Sequence, residues 1–176
     1  KRVAIFSHQN PDGDAMGSSY ALKLALHSLG KQAEVFLCDG WETVAYELVY
    51  GKESTGLAVK DCDLLVALDS ADQYRLGRYE QVFVKHPNTI AVDHHITHKP
   101  FAGQTMVQDI SSTCELLYGV IKELGVAVDC KIASNLYLGM VSDTGNFKYD
   151  SITGDTLRAA AELIDIGIDF AKISKQ

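Results

Sequence analysis

The chain has 176 residues, enough to bury one substantial core, or one domain with a short extension. Apolar residues make up 47% and charged residues 22%, which is ordinary globular usage. A net charge of −7 leaves no basic footprint for gripping duplex nucleic acid, but bound divalent cations can reverse the local sign for a short anionic substrate.

In chain order, Val3–Phe6 is a compact apolar run that predicts a buried first strand. After a polar loop, Ala15, Leu22, Leu24, Ala25, Leu26 and Leu29 supply an apolar helical face that stops before Gly30. Ala33–Leu37 reads as the next strand, and residues 40–59 as irregular, with a short helix around Val44–Leu48. Leu64–Leu68 is continuously apolar, as in a strand covered on both faces. Tyr74–Lys85 predicts a short helix and connector ahead of a strand at Thr89–Val92.

Ser112-Thr113-Cys114-Glu115 fits a capping box with Ser112 at the N-cap, and Leu116, Leu117, Val120, Ile121 and Leu124 follow as a helical stripe ended by Gly125. Further helices are expected at Cys130–Val141 and Asp155–Ile166, the second carrying Leu157, Ala160, Ala161 and Ile164 on one face. Strands alternating with helices imply an α/β fold, a parallel β-sheet sandwiched by helices around one core.

Cys38, Cys62, Cys114 and Cys130 show no Cys-x-x-Cys spacing, so they are expected to be reduced packing residues of a cytoplasmic protein. No apolar run approaches the ~20 residues of a membrane span, and Val3–Phe6 is too short for a signal peptide. The start at Lys1 suggests a trimmed fragment. Residues 1–166 are expected to form the domain, and 167–176 to begin a connector to a further, absent one.

The polar residues that follow these strands carry the chemistry. His8-Gln9-Asn10-Pro11-Asp12-Gly13-Asp14 is a shaped loop, because Pro11 fixes one backbone angle and Gly13 permits an unusual one. Asp12 and Asp14 repel unless a cation sits between them; Asp14 is alternatively a plain helix N-cap. Asp69 ends the Leu64–Leu68 run, where it either caps a turn or bridges two ions, and Asp72 reads as a surface or supporting group. Asp93-His94-His95 allows one imidazole to ligate metal and the other to face substrate, with Asp93 accepting from a ring nitrogen behind them. His98 reads as peripheral. Asp143 ends an apolar helical stretch, where the dipole disfavours an anion unless a cation compensates. In an open parallel sheet the carboxyl ends of strands share one edge, so these distant residues are expected to meet there. Carboxylate and imidazole without thiolate suit Mn²⁺ or Mg²⁺, with Co²⁺ or Zn²⁺ as substitutes.

Together these segments resemble the motifs of the DHH phosphoesterase superfamily, in order from His8 to Asp143. The resemblance implies that His8, Asp12 and Asp69 hold one metal, usually Mn²⁺, and that Asp14, Asp69, His94 and Asp143 hold the other. It also implies that His95 contacts the scissile phosphate and Asp93 supports the site. Asn10–Ala15, Ser112–Glu115 and Ser142–Phe147 are most similar to the bacterial oligoribonuclease and 3′-phosphoadenosine-5′-phosphate (pAp) phosphatase branch. That branch implies hydrolysis of short RNA to 5′-mononucleotides, and in some members of cyclic-dinucleotide-derived pApA. Lys148 stands where the branch often has arginine, so a substrate contact there would lack a bidentate fork. The branch's C-terminal substrate-binding domain has no counterpart here. Homodimers are common among relatives, although no stretch of this chain marks an interface.

Three other readings compete. A manganese inorganic pyrophosphatase or exopolyphosphatase shares the ligand pattern, and a nucleotide-binding regulatory module without turnover would not need every ligand intact. A dinucleotide-binding enzyme is disfavoured because the first loop carries Pro11, Asp12 and Asp14 instead of Gly-x-Gly-x-x-Gly. There is no Gly-Lys-Ser/Thr loop and no nucleophile elbow.

Overall fold

The computed structural model describes residues 1–38 and 49–175. Among the described residues, five strands, β1 (Arg2–Phe6), β2 (Gln32–Phe36), β3 (Leu64–Leu68), β4 (Thr89–Asp93) and β5 (Gln104–Val107), form one sheet in the order β2-β1-β3-β4-β5. Every pairing is parallel, with Ile5 opposite Val35 and Val66, and Ala67 opposite Ala91. The helices are α1 (Gly13–Ser28), α2 (Glu80–Lys85), α3 (Thr113–Glu123), α4 (Cys130–Asp143), α5 (Gly154–Asp165) and α6 (Phe170–Ile173).

Strand alternation divides the core between the two faces of the sheet. Val3, Ile5, Val66, Leu68 and Val92 join the helices α1, α3 and α4, with α5 and α6 behind them. Ala4, Phe6, Leu65 and Ala67 face the other way and pack with Leu76, Cys62 and Phe83 of α2. Helix α1 is buried nearly all round, because α4 covers the side turned from the sheet. Two glycines permit that approach. A Cβ on Gly17 would lie 2.3 Å from Asn135 O, and one on Gly139 would lie 2.2 Å from Cys114 Sγ and 2.6 Å from Asp14 Oδ1. At the far side of α1, buried Lys23 donates to Glu34 Oε1 (2.8 Å) and Glu53 O (2.7 Å), which ties the loop before β3 to α1 and β2.

The α/β sandwich is as expected, with several corrections. β5 was not anticipated: Gln104–Val107 is exposed throughout, so it lacks the apolar pattern that marks a strand. Tyr74–Lys85 resolves into a 3-10 helix over Gln73–Tyr79, kinked at Gly77 (φ 52°), followed by α2. On α5 the buried residues are Thr156, Ala160 and Leu163, while Leu157 is 51% exposed and Ala161 is exposed too. Cys38, Cys62 and Cys114 are buried and free, but Cys130 is free and exposed, so it is not a packing residue. Ile168 and Ile173 join the main core, so the stretch after α5 packs back onto α4. The helix expected at Val44–Leu48 lies outside the described residues. No helix among the described residues is long and apolar enough to cross a membrane.

Candidate metal centre

The chain runs from β1 through α1 to β2 on one flank, then returns past β1 to β3 on the other. β1 and β3 therefore diverge at a topological switch point, where such sheets open a crevice at their carboxyl edge. His8 follows β1 by two residues, Asp69 directly follows β3, and Asp93 and His94 end and follow β4. The first turn of α1 supplies Asp14, its cap is Asp12, and Asp143 is the last residue of α4. All six residues expected to hold metal converge there.

Asp69 faces both halves of the cluster. Its Oδ2 lies 3.5 Å from His8 Nε2, and its Oδ1 lies 3.6 Å from His94 Nε2. On the first side, His8 Nε2 is 3.8 Å from Asp12 Oδ2. On the second, His94 Nε2 is 3.0 Å from Asp143 Oδ2 and 4.0 Å from Asp14 Oδ2. His8, Asp12 and Asp69, and likewise Asp14, His94 and Asp143, offer ligand atoms within 4.8 Å of one another.

The imidazoles fit a metal. His8 Nδ1 stands 2.9 Å from Gln9 O and His94 Nδ1 3.2 Å from Ile110 O. A carbonyl accepts only, so each Nδ1 carries the proton and each Nε2 turns a lone pair toward carboxylates. Lone pair against lone pair is repulsive unless a cation or a proton intervenes. Buried His94 Nε2, moreover, has no hydrogen-bond partner among the described residues despite its closeness to Asp143. With no cation, the groups hold protons instead. Burial would lower His94, but Asp143, Asp14 and Asp69 outweigh it and raise its pKa to about 10. His8 is likewise raised against the effect of burial, chiefly by Asp69. Burial, then Asp69, raises Asp12, and burial with Asp69 and Asp143 lifts Asp14 well above the usual carboxylate range.

Local chemistry fixes each ligand. Asp12, not Asp14, is the N-cap of α1: its Oδ1 accepts from Asp14 N (2.9 Å) and Ala15 N (3.0 Å), leaving Oδ2 toward His8. Asp14 is fully buried, with Oδ2 on Thr113 N (2.7 Å) and Oδ1 on Cys114 N (2.9 Å) at the start of α3. The Thr113 hydroxyl reaches Asp69 Oδ1 at 3.1 Å. Ser112 caps α3 as expected by accepting from Glu115 N (3.1 Å), but the Glu115 carboxylate turns to the Ser111 backbone and hydroxyl instead of closing the box. The four positive-φ non-glycine residues among the described residues are Asn10 (54°), Asp69 (54°), Asn146 (63°) and Phe147 (60°). All lie in the loops of this cluster, and such strain gathers where the surrounding structure dictates a geometry for function. Asn10 therefore does what was expected of Gly13, which is simply the first helical residue.

Behind the cluster, Asp93 accepts from His95 Nδ1 at Oδ1 and from His98 Nδ1 at Oδ2, each at 2.7 Å. Burial would raise its pKa, but the two imidazoles hold it below the ordinary value, and Asp93 in turn raises His95. His98 is not peripheral; its side chain is 3% exposed. Only the folded turn reveals this, because a histidine three residues past a pair has no distinctive spacing. Thr113 was likewise seen only as part of a capping motif. Asp72 caps the 3-10 helix, accepting from Tyr74 N (3.0 Å) and Arg75 N (3.3 Å). Lys148 is exposed, and no hydrogen bond or ion pair ties its side chain to the cluster among the described residues.

An open parallel α/β sheet with paired carboxylate–imidazole sets at its switch point defines a cradle suited to divalent metal. The chain belongs to the DHH family: the description "DHH family, N-terminal domain" matches residues 2–140. It is 36% identical over 177 residues to the bifunctional oligoribonuclease and PAP phosphatase NrnA of Thermus thermophilus, covering 98% of this chain and 52% of that protein. It is 29% identical to a probable manganese-dependent inorganic pyrophosphatase of Enterococcus faecalis, covering 94% and 55%. The crystal structure of an exopolyphosphatase-related protein from Bacteroides fragilis superposes with a TM-score of 0.85 at 28% identity, covering 99% and 55%. The chain thus spans about half the length of the relatives it matches.

Proposed function

We propose that this chain is the catalytic unit of a manganese-dependent phosphoesterase. Its substrates are short oligoribonucleotides, cleaved to 5′-mononucleotides, and 3′-phosphoadenosine-5′-phosphate. The observation that carries the reading is Asp69, whose two oxygens each address a separate imidazole. His8, Asp12 and Asp69 would hold one cation; Asp14, Asp69, His94 and Asp143 the other. Two such ions, when bound, neutralise phosphoryl oxygens and lower the pKa of a shared water. Acidic side chains alone would repel a phosphate, so the cluster suits its substrate only as a metal cradle.

The chain's own part is placement. His95, half-exposed and backed by Asp93, is the group we assign to the scissile phosphate. Asp93 favours its protonated form, and that imidazolium donates to Asp93 from Nδ1 and to the phosphate from Nε2 as negative charge builds. Lys148 is a candidate phosphate contact further out. Residues 1–166 form the catalytic unit in this reading, with the stretch through Ile173 packed onto them as part of the same core. The half of the relatives that this chain does not match would grip the base and the terminal phosphate. The enzyme works in the cytoplasm in this reading, on short RNA or nucleotides, with neither duplex DNA nor membrane as partner. Homodimerisation enters only by analogy with relatives.

A second reading, inorganic pyrophosphatase, is favoured by the Enterococcus faecalis relative. Assaying the full-length protein with Mn²⁺ on a 5′-phosphorylated RNA dinucleotide, pAp and pyrophosphate side by side separates the two. Turnover of the nucleotides that vanishes in Asp69→Ala is expected. Turnover of pyrophosphate alone would install the second reading.

A further inference from the structure

The turn after β4 folds back on itself. His98 N–H donates to His95 O at 3.0 Å, and Lys99 N–H donates to Ala71 O at 2.8 Å. This return brings His98 beneath Asp93, a carboxylate with no solvent exposure. Asp93 Oδ1 already receives His94 N–H at 2.9 Å and His95 Nδ1 at 2.7 Å. Its Oδ2 faces His98 Nδ1 at 2.7 Å. An ionised carboxylate offers acceptors only, so both rings present Nδ1–H to it. Burying that charge would be costly without these donors.

Packing alone does not account for His98. Its ring lies against Phe101, with centroids 5.6 Å apart, and its Nε2 is buried without a partner among the described residues. A histidine kept only to fill space would be replaced at no polar cost by leucine or phenylalanine. This one tolerates an orphaned nitrogen and has a single side-chain polar tie, to Asp93. What that tie controls is the other end of Asp93. With Oδ2 occupied, the carboxylate cannot rotate to share its oxygens, and Oδ1 stays on His95 Nδ1. The His95 ring is then fixed in direction, with Nδ1–H on Asp93 and Nε2 turned to the open side, where it can donate when the ring is protonated.

We propose that His98 is a positioning residue for His95, acting through Asp93. The inference rests on the role given to His95 above and extends it to a residue outside the family triplet. Outer partners of this kind are worth roughly 10–100-fold when lost.

The test uses the full-length protein in three forms: unchanged, His98→Ala, and His98→Asn. Asparagine keeps an N–H donor at the position of Nδ1. Long-range ¹H–¹⁵N spectra of the metal-free protein report which His95 nitrogen carries the proton, independently of whether Mn²⁺ binds or turnover occurs. His98→Ala is expected to blur the Nδ1–H signature of His95 and to lower kcat on the dinucleotide by about tenfold or more, with KM and Mn²⁺ affinity unchanged. His98→Asn is expected to restore both. An unchanged His95 spectrum in His98→Ala overturns the proposal. So does equal impairment of the alanine and asparagine variants, which would assign His98 to packing. If His98→Ala does not fold, a His98→Asn protein without the His95 signature overturns it as well. Failure of the metal-centre reading shows separately, as absence of Mn²⁺ binding in the unchanged protein.

Discussion

The Thr113 hydroxyl donates to Asp69 Oδ1 over 3.1 Å, while Asp69 Oδ2 stands 3.5 Å from His8 Nε2. The carboxylate that faces both halves of the cluster is thus steered by the helix that also holds Asp14. Asp69 adds to the repulsion felt by Asp12 and Asp14 but favours the charged forms of His8 and His94. In the metal-free protein its effects thus oppose one another, whereas with metal bound they would all favour the fold. Asp69→Asn is therefore expected to shift the melting temperature of metal-free protein little near neutral pH. The same change should cut Mn²⁺ affinity by more than about 100-fold, beyond the usual loss of an outer partner. Paired thermal melts with EDTA and with Mn²⁺ check both halves; a variant as stabilised by Mn²⁺ as the unchanged protein would contradict the placing of Asp69 at the metal.

The raised imidazoles set a pH dependence. A group whose pKa is raised on folding lends stability below its unfolded value and loses it as pH climbs through the folded one. His94 therefore supports the metal-free fold below pH 6.5, and that support fades toward its folded value of about 10. His8 contributes with the same sign. Metal-free protein should lose melting temperature between pH 6.5 and 10, and saturating Mn²⁺ should flatten the decline. Near neutral pH, binding should expel about one proton or more, read as a buffer-dependent calorimetric enthalpy.

Gly139 sits where α1, α3 and α4 meet, and alanine there would press on Asp14 Oδ1 and Cys114 Sγ. Gly139→Ala is expected to cost about 1–3 kcal/mol and to weaken metal binding by displacing Asp14. Gly119, exposed on α3 with nothing within 4 Å of its added Cβ, is the contrast. Gly119→Ala should stabilise by about 0.5–1 kcal/mol, with binding untouched. Denaturant melts and Mn²⁺ titrations of the two variants together test the difference.

Most of the site was legible because its residues obey strand grammar: each apolar run ends and a metal-type side chain follows, at His8, Asp69 and His94. What escaped depends on relations between elements. β5 has no apolar signature, since an exposed edge strand needs none. α5 presents Thr156 inward because that hydroxyl donates to Glu115 Oε2 at 3.0 Å, a polar tie that hydrophobic periodicity does not register. The capping of α1 by Asp12 and the burial of His98 are set by loop geometry, which the residue types Asn, Pro and Gly announce without specifying.

Lys23 and Glu34 form a buried ion pair away from the metal centre. Burial would raise Glu34, but Lys23 and the Thr55 backbone and hydroxyl hold it below its ordinary value. Its stabilisation is therefore present above pH 4.5 and lost as pH falls through the depressed folded value. Lys23→Ala leaves the carboxylate buried without its cation and is expected to cost about 3–5 kcal/mol. Urea melts at pH 7 and below pH 4 should show the penalty shrinking in acid; a constant penalty would assign it to packing.

The five-strand order gives the chemistry an unequal footing. β1, β3 and β4 occupy the middle of the sheet and deliver its working groups, while β2 and β5 flank them and deliver none. A tremor at the β2 border must pass through β1 before it reaches Asp69 or His94, whereas β5 leads straight into Ile110 and Thr113, whose carbonyl and hydroxyl hold His94 and Asp69. The β2 margin is thus freer to lengthen, shorten or gain new attachments over evolutionary time, while the β5 margin is bound to the ion-facing geometry in the centre.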